Sequence, residues 1–126
     1  MGREGQLKVL DRIDVALDPF PFNGSTTTLE ALWMGVPVVA LAGDRFLGRV
    51  AMSFLNHLGL SSLVAPNAEA YVGIARDLAF NEAERMRLRS ELRARLKASP
   101  LMDPVAHARA LEQAFRRLWQ KWCGQP

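Results

Sequence analysis

Residues 23–30 read NGSTTTLE, an Asn-Gly pair followed by four hydroxyl side chains in a row. Thr is a mediocre helix former, so three together are not explained by local folding. What they can supply is hydrogen-bond donors. Gly24 lets the backbone approach a ligand with no Cβ in the way. If a helix begins here, its free N–H groups and the positive end of its dipole attract an anion. Asn23, Gly24, Ser25, Thr26 and Thr27 would then cradle a diphosphate. Glu30, one turn further on, could accept two ribose hydroxyls, as acidic residues do in nucleotide sites. The same residues admit a second reading, in which Ser-Thr-Thr only caps a helix and Glu30 closes a capping box with Thr27. Arg45 and Arg49 form the next candidate pair, since guanidinium groups match phosphate oxygens well. An ion pair with Asp44 or another acid is the alternative for them.

These residues need elements to position them. IDVALD (residues 13–18) is a compact apolar run bounded by charges and Pro19, and predicts a buried strand. PFPFNG is a turn-rich loop. A short helix follows, capped by Ser25 or Thr26 and ended by Gly35. VPVVALAG (residues 36–43) predicts a second strand, with Pro37 near its start, where a missing donor is tolerated. A loop and a helix over residues 48–58 stop at Gly59, and SSLVAP (residues 61–66) predicts a third strand. Thereafter the chain reads as helix. Asn67 caps one running to about Phe80, Asn81 or Glu82 starts another that ends near Pro100, and Asp103-Pro104 opens the last. On that last helix Leu111, Ala114, Phe115, Leu118, Trp119 and Trp122 share one face. Strand–helix alternation predicts an α/β fold with a short parallel sheet and crossover helices, followed by a helical C-terminal segment. In such sheets ligands sit beyond the C-terminal ends of the strands, where residues 19–25 and 44–49 fall.

Composition narrows the class. A chain of 126 residues suffices for one domain, and its 49% hydrophobic and 23% charged content is that of an ordinary globular protein. A net charge of +3 is too mild to indicate nucleic acid. ERMRLRSELRARLK is arginine-rich, but Glu84 and Glu91 interrupt it, so a solvated amphipathic helix is preferred to a nucleic-acid or membrane surface. No apolar run approaches the roughly 20 residues that span a bilayer, and the polar N-terminus has no signal core. The single cysteine, Cys123, allows no internal disulfide and fits a cytoplasmic setting. His57, His107 and Cys123 show no metal-ligand spacing. His57 suits a last-turn position on its helix, and His107 reads as exposed.

The stretch DRIDVALDPFPFNGSTTTLEALWMGVPVVALAGDRFLGRVAMSFLNHLGLSSLVA resembles the C-terminal catalytic region of the O-linked N-acetylglucosamine transferase family, including its bacterial, TPR-linked members. The resemblance runs from about Leu10 to Trp122, and NG-x-TTT-x-EALWMGVPV is its most specific part. EA-x-x-x-G-x-PVV also resembles the nucleotide-sugar half of GT-B glycosyltransferases, which have two Rossmann domains. The resemblance implies that residues 1–126 are one domain, the C-terminal part of a donor-binding Rossmann domain. It implies a metal-independent, inverting transferase with UDP or UDP-N-acetylglucosamine as substrate, no cofactor, and a protein acceptor in the full enzyme. By position, Ser25, Thr26 and Thr27 would contact the phosphates and Glu30 the ribose. The animal enzymes carry His where Ser25 stands and Asp where Glu30 stands, so no imidazolium is available here.

The family's catalytic groups, and a Lys that reaches the diphosphate, belong to parts outside this chain. The chain is therefore expected to be a fragment of a larger enzyme and inactive alone, with its catalytic residues unassigned. Trp119 and Trp122, lacking the other half, would favour self-association. A different class of function is a non-catalytic module of the same fold, sensing nucleotide sugars or binding a protein partner. Retention of the Thr run favours the transferase reading.

Overall fold

The computed structural model describes residues 3–124. Its centre is β2 (Val38–Leu41), which lies between β1 (Ala16–Leu17) and β3 (Val64–Ala65) in a parallel sheet of order β1-β2-β3. Ala16 aligns with Val38 and Leu17 with Val39 on one side, and Ala40 with Val64 and Leu41 with Ala65 on the other. Val38, Val39 and Ala40 are buried, as both-face coverage of a parallel strand requires. The fold is the α/β architecture expected from the alternation.

The strands are shorter than the apolar runs that encode them. Ile13 and Val15 pack against the core without joining the ladder. Past β1, the Asp18 amide still donates to Val39 O at 2.9 Å. Val36 is drawn into the helix end, its amide donating to Ala31 O at 2.9 Å. Residues 61–63 make a 3₁₀ turn before β3. Apolar content marks burial along the whole run, whereas pairing needs a neighbour at each position.

The helices follow their caps closely. After β1 come α2 (Thr26–Trp33), α3 (Val50–His57), α4 (Ala68–Phe80), α5 (Glu82–Ala98) and α6 (Pro104–Trp122). Asn67, Asn81 and Asp103 each accept an N-cap hydrogen bond, from Ala70 N, Glu84 N and Ala106 N. α1 itself (Arg3–Leu10) lies in the polar N-terminal segment for which the sequence predicts no element. Leu10 contacts the core, and so short an amphipathic pattern carries little periodic signal. Gly35 ends α2 at φ +80°, and a Cβ there would stand 2.7 Å from Arg89 O.

α5 is where the arginine-rich run goes. Leu88, Leu92 and Leu96 are buried along one face. Arg93 Nε donates to Trp33 O at 2.8 Å, Arg89 to Ile13 O, and Arg85 to Leu78 O at 3.1 Å and to Ala79 O. Arg87 pairs with Glu84 and Glu91 at 2.6 and 2.8 Å, and Arg95 with Glu91 at 2.7 Å. The arginines are thus engaged within the fold, several of them as donors to carbonyls at element ends.

α6 behaves differently. Leu111, Phe115, Leu118, Trp119 and Trp122 all stay exposed, and no residue of the helix is buried. Among the described residues no helix is long and apolar enough to cross a membrane.

This contrast is measurable. Leu92→Ala should cost about 3 kcal/mol by urea denaturation, because its fully buried side chain leaves a cavity. Leu118→Ala should change stability by less than about 0.5 kcal/mol, as surface substitutions do. Equal costs would place α6 in the core.

A candidate anion site at the start of the second helix

Parallel strands bring residues 18–25, after β1, and residues 42–49, after β2, to one edge of the sheet. The two loops touch. Asn23 N donates to Leu47 O at 3.0 Å, Gly43 N donates to Gly48 O at 2.9 Å, and a Cβ on Gly48 would lie 3.3 Å from Pro21 O. The helix that leaves the first loop, α2, starts at this edge.

The first i→i−4 bond of α2 runs from Leu29 N to Ser25 O at 3.0 Å, so the amides of Thr26, Thr27 and Thr28 precede the helical ladder. Ser25 occupies the N-cap position, but its side chain makes no cap hydrogen bond. Thr27 and Glu30 fall at the second and fifth helical positions, whereas a capping box joins the N-cap to the third. The plain cap reading therefore fails for Ser25 and for the Thr27–Glu30 pair. Ser25, Thr26 and Thr27 are exposed at the helix start.

The helix start is anchored to the strand end by a side chain outside the helix, which leaves the first-turn amides alone. Asp18, 3% exposed at the end of β1, accepts on Oδ1 from the Thr28 hydroxyl at 2.7 Å and from Gly24 N at 3.2 Å. Its carbonyl accepts from the Tyr71 hydroxyl of α4 at 2.9 Å. Asn23, 1% exposed, donates from Nδ2 to Pro19 O at 3.1 Å and so closes the loop on itself. Gly24 is required by space: a Cβ would meet Thr28 Oγ1 at 2.5 Å and Thr27 Oγ1 at 2.8 Å. Two buried acceptors, Asp18 Oδ2 and Asn23 Oδ1, have no hydrogen-bond partner among the described residues. Burial pushes the Asp18 carboxyl above its ordinary 3.8, opposed by the bonds from Thr28 and Gly24.

The candidate residues divide around this start. Thr26 and Glu30, one turn apart, share a cavity of about 360 Å³ with Leu7, Trp33 and Leu101. Thr27 lines a second of about 190 Å³ with Asp18 and Thr28. Arg45 lines a third of about 420 Å³ past β2, with Phe20, Gly43 and Asp44. Arg49 is turned to its own loop, where Nε donates to Gly43 O at 3.0 Å and Nη2 to Asp44 O at 2.6 Å. It holds the Asp44 carbonyl and forms no ion pair with its carboxylate, and so orders the loop that carries Arg45. His57 Nδ1 meets Ser53 O at 2.7 Å within α3, far in sequence from this edge. Asp18, Thr28 and Tyr71 were not singled out by sequence reasoning. An Asp closing an apolar strand before a Pro-rich loop was the available signal, since acids are rarely buried without a task.

Comparison with known proteins places this arrangement in a class. The model of Glycosyl transferase family 41 matches residues 2–111, and the chain belongs to that family. Rice (Oryza sativa subsp. japonica) has a similar protein named as a probable UDP-N-acetylglucosamine--peptide N-acetylglucosaminyltransferase SPINDLY, 41% identical over 88% of this chain and 12% of its own length. A second, SEC of Arabidopsis thaliana, is 34% identical over 87% of this chain and 11% of its own. A solved mutant O-GlcNAc transferase of Thermobaculum terrenum superposes with TM-score 0.88 at 43% identity, over 98% of this chain and 24% of that one. The chain spans about an eighth of the plant relatives and about a quarter of the solved structure. The α/β unit thereby matches part of a GT-B catalytic region, as the EA-x-x-x-G-x-PVV pattern implies.

The Asp18 carboxyl gives a pH signature. Its folded value is raised, so the charged form is the disfavoured one in the native state. Below the ordinary value it is neutral both folded and unfolded and costs nothing, and the cost appears as pH rises through the folded value. Asp18→Asn should therefore gain on wild type between pH 3 and 7 in urea titrations. A gap that closes with rising pH would refute the assignment.

Proposed function

We propose that this chain is the UDP-sugar-binding part of a protein O-glycosyltransferase, which moves N-acetylglucosamine from UDP to a Ser or Thr hydroxyl. Transfer belongs to the longer protein, as the length of the relatives favours. The observation that carries the reading is a row of three hydroxyl residues, at the open start of a helix on the ligand edge, whose N-cap side chain is not used to cap that helix. Around it stands a chain whose relatives are named for UDP-N-acetylglucosamine chemistry.

The chemistry follows from where charge develops. As the sugar leaves, negative charge grows on the departing diphosphate. Donors already fixed at that place stabilise it without reorganising. Ser25, Thr26 and Thr27 offer hydroxyls, and the amides of the first turn add to them with the helix dipole. Gly24 keeps the approach open and Asn23 holds the loop. Glu30 takes the ribose hydroxyls from the Thr26 side of α2. Arg45 faces the same edge from the second loop, with Arg49 behind it. The sugar's anomeric carbon then faces the acceptor hydroxyl, whose proton goes to a base outside the residues described here.

Calorimetric titration of the chain with UDP tests this. Wild type should bind saturably, and Thr26→Ala/Thr27→Ala should weaken binding about tenfold or more through the lost hydroxyl donors. Equal binding by the double variant would move the diphosphate elsewhere.

A further inference from the structure

We propose that Asp18 is the positioning residue of the donor site, acting through Gly24 and Thr28 and never touching the ligand. The proposal rests on the UDP-sugar reading above and names how its cradle is held.

A helix start has one set of free donors, and capping competes with ligand binding for it. In α2 those donors are not used to hold the helix in place. Ser25, at the N-cap, leaves the helix uncapped by its side chain. Asp18 Oδ1 instead holds the Thr28 hydroxyl at 2.7 Å and the Gly24 amide at 3.2 Å, from a separate element. Residues 25–27 are the span between these two tethered points. Their backbone course is fixed at both ends while their own donors stay outward. Because Asp18 is 3% exposed, no diphosphate reaches it directly. Tyr71 fixes the carbonyl of the same residue at 2.9 Å, and β2 fixes its amide, so the carboxyl is held rigidly against the strand end.

The task needs an acceptor at Oδ1 and does not need charge. Oδ2 has no hydrogen-bond partner among the described residues, and like charge so near a diphosphate works against binding. An Asn in this place keeps the Oδ1 acceptor. The prediction is thus a split between two variants of one residue.

The test is titration of the chain with UDP-N-acetylglucosamine, with folding followed by circular dichroism. Asp18→Asn should bind within about threefold of wild type, and Asp18→Ala should lose about tenfold or more as both tethers are released. Thr28→Val keeps the shape and removes one donor, and should weaken binding; Thr28→Ser should restore it. If Asp18→Ala does not fold, the Thr28 pair decides. Wild-type affinity in Asp18→Ala or in Thr28→Val overturns the role. So does an Asp18→Asn variant as weak as Asp18→Ala, since charge and not position would then matter. Absence of binding by wild type is a different result: it overturns the UDP-sugar reading itself, and this role with it.

Discussion

One residue ties this edge of the sheet together. Asp18 meets β2 through its amide, α4 through its carbonyl, and both the loop and α2 through a single carboxylate oxygen. A buried carboxyl is a costly device, and burial raises its proton affinity accordingly. The arrangement puts a partial negative charge beside the positive end of α2, which offsets some of that cost. It also sets the distance between strand end and helix start, where Asp18, Thr27 and Thr28 line one cavity together. Gly24 is the complement of the same constraint, since any side chain there would enter the space of the Thr27 and Thr28 hydroxyls.

The second organising feature is the use of arginine as a donor to element ends. Helix and strand termini leave carbonyls without partners, and a guanidinium can satisfy them from a neighbouring element. Arg93 does this for the end of α2 at Trp33, and both Arg93 and Lys97 lie over the Trp33 ring at 5.5 and 5.4 Å. Arg49 does it for the loop after β2. α5 therefore braces α2 from behind while Asp18 holds its front. A helix clamped at both ends presents its first-turn donors with little freedom to lose when a ligand arrives.

Much of this was legible in the sequence, and the limits are specific. The apolar runs located every strand, because burial dictates residue type over the whole run. They overstated strand length, because hydrogen-bond pairing depends on neighbours such as Val38 and Val39 that no single run encodes. Asn67, Asn81 and Asp103 announced their helices, since capping is a local interaction. α1 was missed, being too short for its periodicity to register. At the site, the hydroxyl row and Gly24 stood out as types in unusual order. Asp18 did not, because its meaning lies in contacts ten residues away at Thr28 and 53 away at Tyr71. Arg49 could be named from its type, but its turn toward Gly43 and Asp44 was settled only by the loop's geometry.

If the edge binds a diphosphate as proposed, its cradle of neutral donors would govern how it discriminates among anions. Hydroxyls and amides carry no net charge, so their attraction to an anion is short in range and directional, unlike that of an imidazolium or a cluster of lysines. On the proposed reading, such a site would favour a diphosphate whose oxygens match the donor directions and would have little hold on anions in general. Arg45, exposed on the second loop, is the cation best placed to add long-range attraction there. Steering and recognition would then reside on different loops, with the Asn23–Leu47 contact fixing their separation. On that reading the hydroxyl row would need to be held closely from behind: directional donors lose their value with small displacements, while a point charge does not.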